Sequence, residues 1–169
     1  ALLHSPNKPT ATFEALDDIT AAQERGVPLY GQVSPCPLTF EFTFRSPYPF
    51  ESISAWKPAM TAPKDKLKDI LSDPAFRKAV RDELEEVNPI RLFNGDWSKV
   101  GIIQCTKQEN AHLEHATIAE RAAEAGVDPL DWALDLALSE DLDTLFYAHV
   151  LNSDEEAVGR MMNHPHASV

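Results

Sequence analysis

Ala1-Leu-Leu-His4 and, after a Ser-Pro-Asn loop, Thr12-Phe-Glu-Ala-Leu-Asp-Asp-Ile-Thr-Ala-Ala-Gln-Glu-Arg-Gly-Val-Pro-Leu-Tyr-Gly-Gln-Val33 together set the architecture. Ala1–Leu3 reads as a short apolar strand. Phe13, Leu16, Ile19, Thr20 and Gln23 fall near one helical stripe, with Thr12 as N-cap and Gly26 as the stop. Val27–Val33 reads as a second strand. Strand (Ala1–Leu3), helix (Phe13–Arg25) and strand (Pro28–Val33) predict a βαβ unit, which requires parallel pairing.

The next stretch changes character. Between Pro28 and Pro63 stand seven prolines, together with Phe40, Phe42, Phe44 and Phe50. Proline breaks helices and central strands. Leu38–Phe44 alternates as a strand does, so the reading is one strand followed by a long aromatic loop. Long loops in compact domains commonly cover a site.

Beyond it the punctuation is helical. A short helix is expected near Lys64–Leu71. Asp73-Pro74 opens a charged one, Pro74–Val87. Val100–Cys105 reads as a buried strand. Thr117-Ile-Ala-Glu120 is a capping box, with Gly126 ending its helix. Asp128-Pro129 starts another helix, apolar through Leu130, Ala133, Leu134, Ala137 and Leu138. Leu145–Leu151 is strand-like, Ser153-Asp-Glu-Glu156 forms a second capping box, and His164-Pro165 stops the last helix.

Composition bounds the function. The 169 residues include 27 acidic against 15 basic, a net charge of -12. That excludes a phosphate-binding surface for nucleic acid and argues against docking on anionic lipid. No apolar run approaches the roughly 18–20 residues that span a bilayer. Cys36 and Cys105 cannot form a disulfide framework, which suits a reducing, cytoplasmic setting. The chain opens without Met on an apolar run and stops on the strand-like His166-Ala-Ser-Val169. Both ends read as cuts through a longer chain.

Candidate chemistry is sparse. His4 stands where the first strand ends, the position that carries catalytic groups in α/β barrels, and can act as a metal ligand or base. His164 and His166, two apart, share one side of an extended segment, but Pro165 between them serves as a helix stop. His112 and His115 read as solvated and His149 as a core residue. Cys36 lies between two prolines with no evident base to activate it. Glu140, Asp141 and Asp143 read as a solvated acidic cluster. No phosphate loop, G-x-S-x-G or H-E-x-x-H is present.

Several segments in order carry a resemblance. They are Gly31-Gln-Val-Ser-Pro-Cys-Pro-Leu-Thr-Phe-Glu-Phe-Thr-Phe-Arg-Ser-Pro-Tyr-Pro-Phe-Glu51, Lys57-Pro-Ala-Met60, Leu71-Ser-Asp-Pro-Ala-Phe-Arg77, Ile118-Ala-Glu-Arg-Ala-Ala-Glu-Ala-Gly-Val-Asp-Pro-Leu-Asp131, Ala137-Leu-Ser-Glu-Asp-Leu142, Val150-Leu-Asn-Ser-Asp-Glu-Glu156 and His164-Pro165. Together they resemble the central part of N-acyl-D-amino-acid deacylase-like proteins of the amidohydrolase superfamily. The resemblance implies an α/β fold, a partial (β/α)8 TIM barrel with a mostly helical insertion. It implies one or two divalent metals, commonly zinc, that activate water against an amide carbon, with an Asp after the last strand as proton shuttle.

Carried over residue by residue, the resemblance makes His4 a metal ligand. It places Ser34 and Cys36 where many members have a Tyr-Pro-Tyr shaping the substrate pocket. The shuttle Asp is expected after Val169. The implied domains are residues 1–63 as partial barrel and Pro/Phe-rich loop, 64–142 as insertion, and 143–169 as the return to the barrel. A full barrel needs about 250 residues, so the segment alone is expected to be inactive. Its expected partners are a small-molecule amide, the remainder of its own barrel, and a second copy covering open strand edges. The competing expectation is a non-catalytic acidic module that binds a partner through exposed aromatics in Phe40–Phe50.

Overall fold

The computed structural model describes residues 1–169 and is a mixed α/β chain with no closed barrel. It divides into two compact units, residues 1–39 with 149–169, and residues 40–148. The aromatic segment from Phe40 onward therefore belongs to the second unit.

In the first unit, helix α1 spans Ala11–Glu24 and buries Thr12, Leu16, Ile19 and Ala22 along one stripe. It ends as Gly26 turns left-handed (φ 80°) and the N–H groups of Gly26 and Val27 bond back to Gln23 and Ala22. Glycine meets this conformation without the steric cost a side chain would add. The N-cap is Thr10, not Thr12. The Thr12 hydroxyl instead donates to the Leu3 carbonyl at 2.7 Å, tying the helix to the strand before it.

Strand β1 is only Gly31–Gln32 and pairs in parallel with β5, Ala167–Ser168. A parallel bridge joins Leu2 to Val33, so the predicted parallel βαβ pairing is present in short form. The longer strand expected from Val27 is not. Val27, Leu29 and Tyr30 are exposed, and pairing begins at Gly31. Gly31 is where the backbone passes closest to its neighbours; a Cβ there would lie 2.6 Å from Leu2 Cδ1 and 3.2 Å from Ile19 Cδ1. Leu16, Ile19, Val33 and Met161 form the core, with Leu2, Phe13 and Ala167 packed against it. Met161 comes from helix α7, Glu155–Met162, which is capped by Asp154 accepting from the Ala157 N–H, rather than by a box on Ser153.

The second unit is built round aromatic rings. Strand β2 (Leu38–Phe42), β3 (Val100–Gln104) and β4 (Leu145–Leu151) form a sheet in the order β2–β4–β3. β3 runs antiparallel to β4, opposing Gly101 to Tyr147. Phe42 stacks on Phe146 at 5.7 Å, and Phe50 touches Phe42, Phe44, Trp56, Phe93 and Trp97 at 4.9–5.7 Å between ring centroids. Burying each such ring contributes about 1.5–3 kcal/mol. The proline-rich loop therefore plugs a core, helped by short 3-10 turns at Tyr48–Phe50 and Ser54–Trp56.

Around this core lie helices α2 (Lys57–Thr61), α3 (Leu67–Ser72), α4 (Pro74–Leu84), α5 (Ile118–Ala125) and α6 (Pro129–Ser139). Asp73 and Asp128 cap α4 and α6 ahead of Pro74 and Pro129, and Thr117 with Glu120 completes the capping box on α5, as their spacing predicts. Between α4 and α6, Arg77 reaches Asp135 at 2.7 Å and Arg81 reaches Asp131 at 2.7 Å. Glu83 accepts from the N–H groups of Ser54 and Ala55 and from Arg91, which pins the 3-10 turn to α4.

Candidate functional site at the strand ends

In the first unit the strand containing Leu2, then β1, then β5 lie side by side and parallel. Residues following the pairing positions therefore gather at one end, their carboxyl end. His4 follows Leu2 there, and Ser34 follows Val33. His166 precedes β5 and belongs at the opposite end, where its ring meets Tyr30 at 6.4 Å.

His4 is 3% exposed. Its ring lies 6.2 Å from Phe13, centroid to centroid. Its Nδ1 is buried and has no hydrogen-bond partner. A buried imidazole nitrogen without a partner costs free energy unless something engages it, and a metal ion is one group that does so.

Both main-chain groups of His4 are held by one residue. The His4 N–H donates to Asn152 Oδ1 at 2.7 Å, and the Asn152 N–H donates to the His4 carbonyl at 2.9 Å. Asn152 Nδ2 donates onward to the Ser34 carbonyl at 2.9 Å. Asn152 thus brings the predicted residues His4 and Ser34 together. It sits just past β4, 3% exposed, with φ at 54°; asparagine is among the few residues that occupy this region readily. Sequence reasoning missed it. A signal existed: Asn152 continues the buried phase of Phe146, Ala148 and Val150, so it is a polar residue at an apolar position.

Ser34 and Cys36 form a small turn of their own. The Cys36 N–H donates to Ser34 Oγ at 3.3 Å and the Ser34 hydroxyl donates to the Cys36 carbonyl at 3.2 Å. The Ser34 hydroxyl is thereby committed to the turn, while Cys36 is exposed. His164 is engaged elsewhere. Its Nδ1 accepts from the His166 N–H at 3.3 Å, which leaves Nε2 to donate to Thr20 Oγ1 at 3.3 Å. His112 and His115 are exposed, as expected.

At the strand ends His4 offers one imidazole nitrogen without a partner. No group of three or more His, Cys, Asp or Glu side chains comes together to hold a metal ion.

Two expectations for the second unit need correction. Glu140 is not solvated. It is 1% exposed and accepts from the Thr106 and Lys107 N–H groups, Asn110 Nδ2 and the Thr144 hydroxyl at 2.8–3.1 Å. Burial pushes its carboxyl up, but these donors outweigh it and hold the carboxyl below the ordinary value. Its neighbours Asp141 and Asp143 do remain at the surface, paired with Lys68 and Arg45. Most of the expected exposed aromatic patch is also core: Phe42, Phe44 and Phe50 are 4%, 1% and 0% exposed, and only Tyr48 stays exposed, its ring against the half-buried Phe40.

Cys105 is buried, and burial, followed by the charges of Glu140 and Glu114, pushes its thiol up to about 11. That removes it as a nucleophile. No helix is long and apolar enough to cross a membrane. Comparison with protein-family models, curated proteins and solved structures finds no match to this chain.

Proposed function

We propose that this chain is a segment of a metal-dependent amidohydrolase of the N-acyl-D-amino-acid deacylase kind, acting on a small-molecule amide. The observation that carries the reading is the buried His4 imidazole with an unpartnered Nδ1 at the carboxyl ends of parallel strands. The strand at Leu2, β1 and β5 lie side by side in chain order, with α1 between the first pair and α7 immediately before β5, which also suits part of a (β/α)8 barrel carrying an insertion.

In this reading His4 supplies one imidazole to a zinc-type ion. The remaining ligands and the proton-shuttling Asp come from residues beyond these 169. When bound, the ion supplies activation of water toward an amide carbon. Asn152 holds the His4 main chain, and the Ser34–Cys36 turn lines the substrate side with a rigid wall and the exposed Cys36 thiol. Two free cysteines accord with a reducing, cytoplasmic setting.

The test is hydrolysis of N-acyl-D-amino acids by the full-length protein, with metal content measured alongside. Zinc-dependent hydrolysis that His4→Ala abolishes supports the proposal. A full-length protein that neither hydrolyses these amides nor binds metal overturns it, as does a His4→Ala variant with parental metal content and rate.

A further inference from the structure

His164 joins the end of α7 to the start of β5 with both its carbonyl and its ring. The Ala167 N–H donates to the His164 carbonyl at 3.0 Å, and the His166 N–H donates to His164 Nδ1 at 3.3 Å. The second bond is the kind an asparagine makes when its side chain accepts from the N–H two residues on and closes a turn. Here the acceptor is an imidazole nitrogen, which a proton can fill. The far side of the ring fixes which nitrogen accepts. The Thr20 hydroxyl gives its one proton to the Leu16 carbonyl at 3.1 Å, so towards His164 Nε2, 3.3 Å away, it accepts, and Nε2 carries the hydrogen.

The parallel ladder hangs on that turn. The His166 carbonyl accepts from the Gly31 N–H at 2.9 Å, and the Ser168 carbonyl from the Val33 N–H at 2.7 Å. Only Gly31–Ala167 and Gln32–Ser168 pair in register between β1 and β5, so the ladder has few bonds to spare. A proton on Nδ1 sets N–H against N–H, and the His166 peptide loses the bond that aims it at Gly31. The ring of His166 faces that of His164 at 5.8 Å, with Tyr30 on the other side of His166 at 6.4 Å. On α1, Asp17 and Glu24 stand about one turn to either side of Thr20. On α7, Arg160 stands about one turn before His164, its guanidinium over Phe13.

We propose that His164 is a pH-operated latch on β5. Neutral, its Nδ1 holds the His166 N–H and β5 pairs with β1. Protonated, it releases that N–H and β5 frays from β1. Histidine is the side chain whose ordinary charge change falls between about pH 5 and 8. The latch does not depend on the reading of His4.

The experiment measures hydrogen–deuterium exchange in the full-length protein at about pH 8 and about pH 5, each rate corrected for chemical exchange at that pH. It compares the parent with His164→Asn and His166→Phe. Asparagine puts an oxygen in place of Nδ1 and does not titrate. In the parent, protection of residues 31–33 and 166–169 is expected to fall about two- to tenfold at the lower pH, the range lost with one hydrogen bond. His164→Asn should keep its protection, and His166→Phe should respond as the parent does. Ring 15N shifts of His164 at the higher pH, assigned by their loss in His164→Asn, should place the hydrogen on Nε2.

Unchanged protection in the parent overturns the proposal. So does an equal fall in His164→Asn, a response that vanishes in His166→Phe, or a hydrogen found on Nδ1 at the higher pH. If His164→Asn does not fold, His164→Ser, whose hydroxyl can accept from the same N–H, is judged by the same criteria.

Discussion

The Thr144 hydroxyl donates to Glu140 Oε2 at 2.9 Å, and both side chains are almost fully buried, at 0% and 1% exposed. This pair closes a cage in which one carboxylate organises the loop after β3 and the turn after α6. Removing the carboxylate leaves the Thr106 and Lys107 N–H groups and the Thr144 hydroxyl without their acceptor. Glu140→Ala is expected to lower stability by about 3 kcal/mol, and Glu140→Gln by less, measured by urea unfolding.

The same carboxylate predicts an acid limb in stability. Its four donors hold Glu140 below the ordinary glutamate value of 4.5 against the opposing effect of burial. Glu83 is shifted the same way: burial opposes it, and the Ala55 and Ser54 N–H groups and Arg91 prevail. A carboxyl depressed on folding stabilises the fold above its unfolded value and loses that contribution as pH falls through its folded value. Urea midpoints should therefore be flat above about pH 5 and fall below pH 4.5, and Glu140→Gln should flatten that fall.

Gly101 lies opposite Tyr147 in the β3–β4 ladder, and a Cβ on Gly101 would overlap the tyrosine ring. Gly101→Ala is expected to cost about 1–3 kcal/mol as the ring is displaced. Combining it with Tyr147→Ala should recover part of the loss. Additive effects in the double mutant would show that the overlap is not the cause.

The two cysteines should react differently. Cys36 is exposed, whereas Cys105 is buried with its thiol pushed up to about 11. Iodoacetamide at pH 8 should modify Cys36 alone in the folded protein and both cysteines in urea, as read by mass spectrometry of the peptides. Modification of Cys105 in the absence of urea would contradict this.

Phe50 touches five other aromatic rings and is fully buried. Phe50→Ala is expected to cost about 3–5 kcal/mol, the largest loss among single changes in the proline-rich loop, again by urea unfolding. A loss below 1 kcal/mol, roughly that of a surface substitution, would mean the loop is not part of the core.

Some of this fold was legible because local chemistry decided it. β4 was read to its end residues because Phe146, Ala148 and Val150 alternate with less buried neighbours. α4 and α6 announced themselves through Asp-Pro starts. Other elements depended on partners. Val27–Tyr30 is apolar enough for a strand, yet only Gly31 and the residues after it pair with another strand. Thr12 and Thr10 are equally good caps by type, and Thr12 was claimed by the Leu3 carbonyl. Glu140 looked solvated because its sequence neighbours are. Its burial follows from the left-handed turn at Asp141 and Leu142, which no acidic pattern encodes. At the site, His4 and Ser34 were visible, but Asn152 acquires its role from a residue 148 positions away.

The chain leaves the first unit within β2 and returns to it within β4, and these two strands are neighbours in one sheet. The 40–148 segment therefore begins and ends on adjacent strands while holding its own aromatic core. It is a cassette in the path of the chain: the backbone enters and leaves it on neighbouring strands.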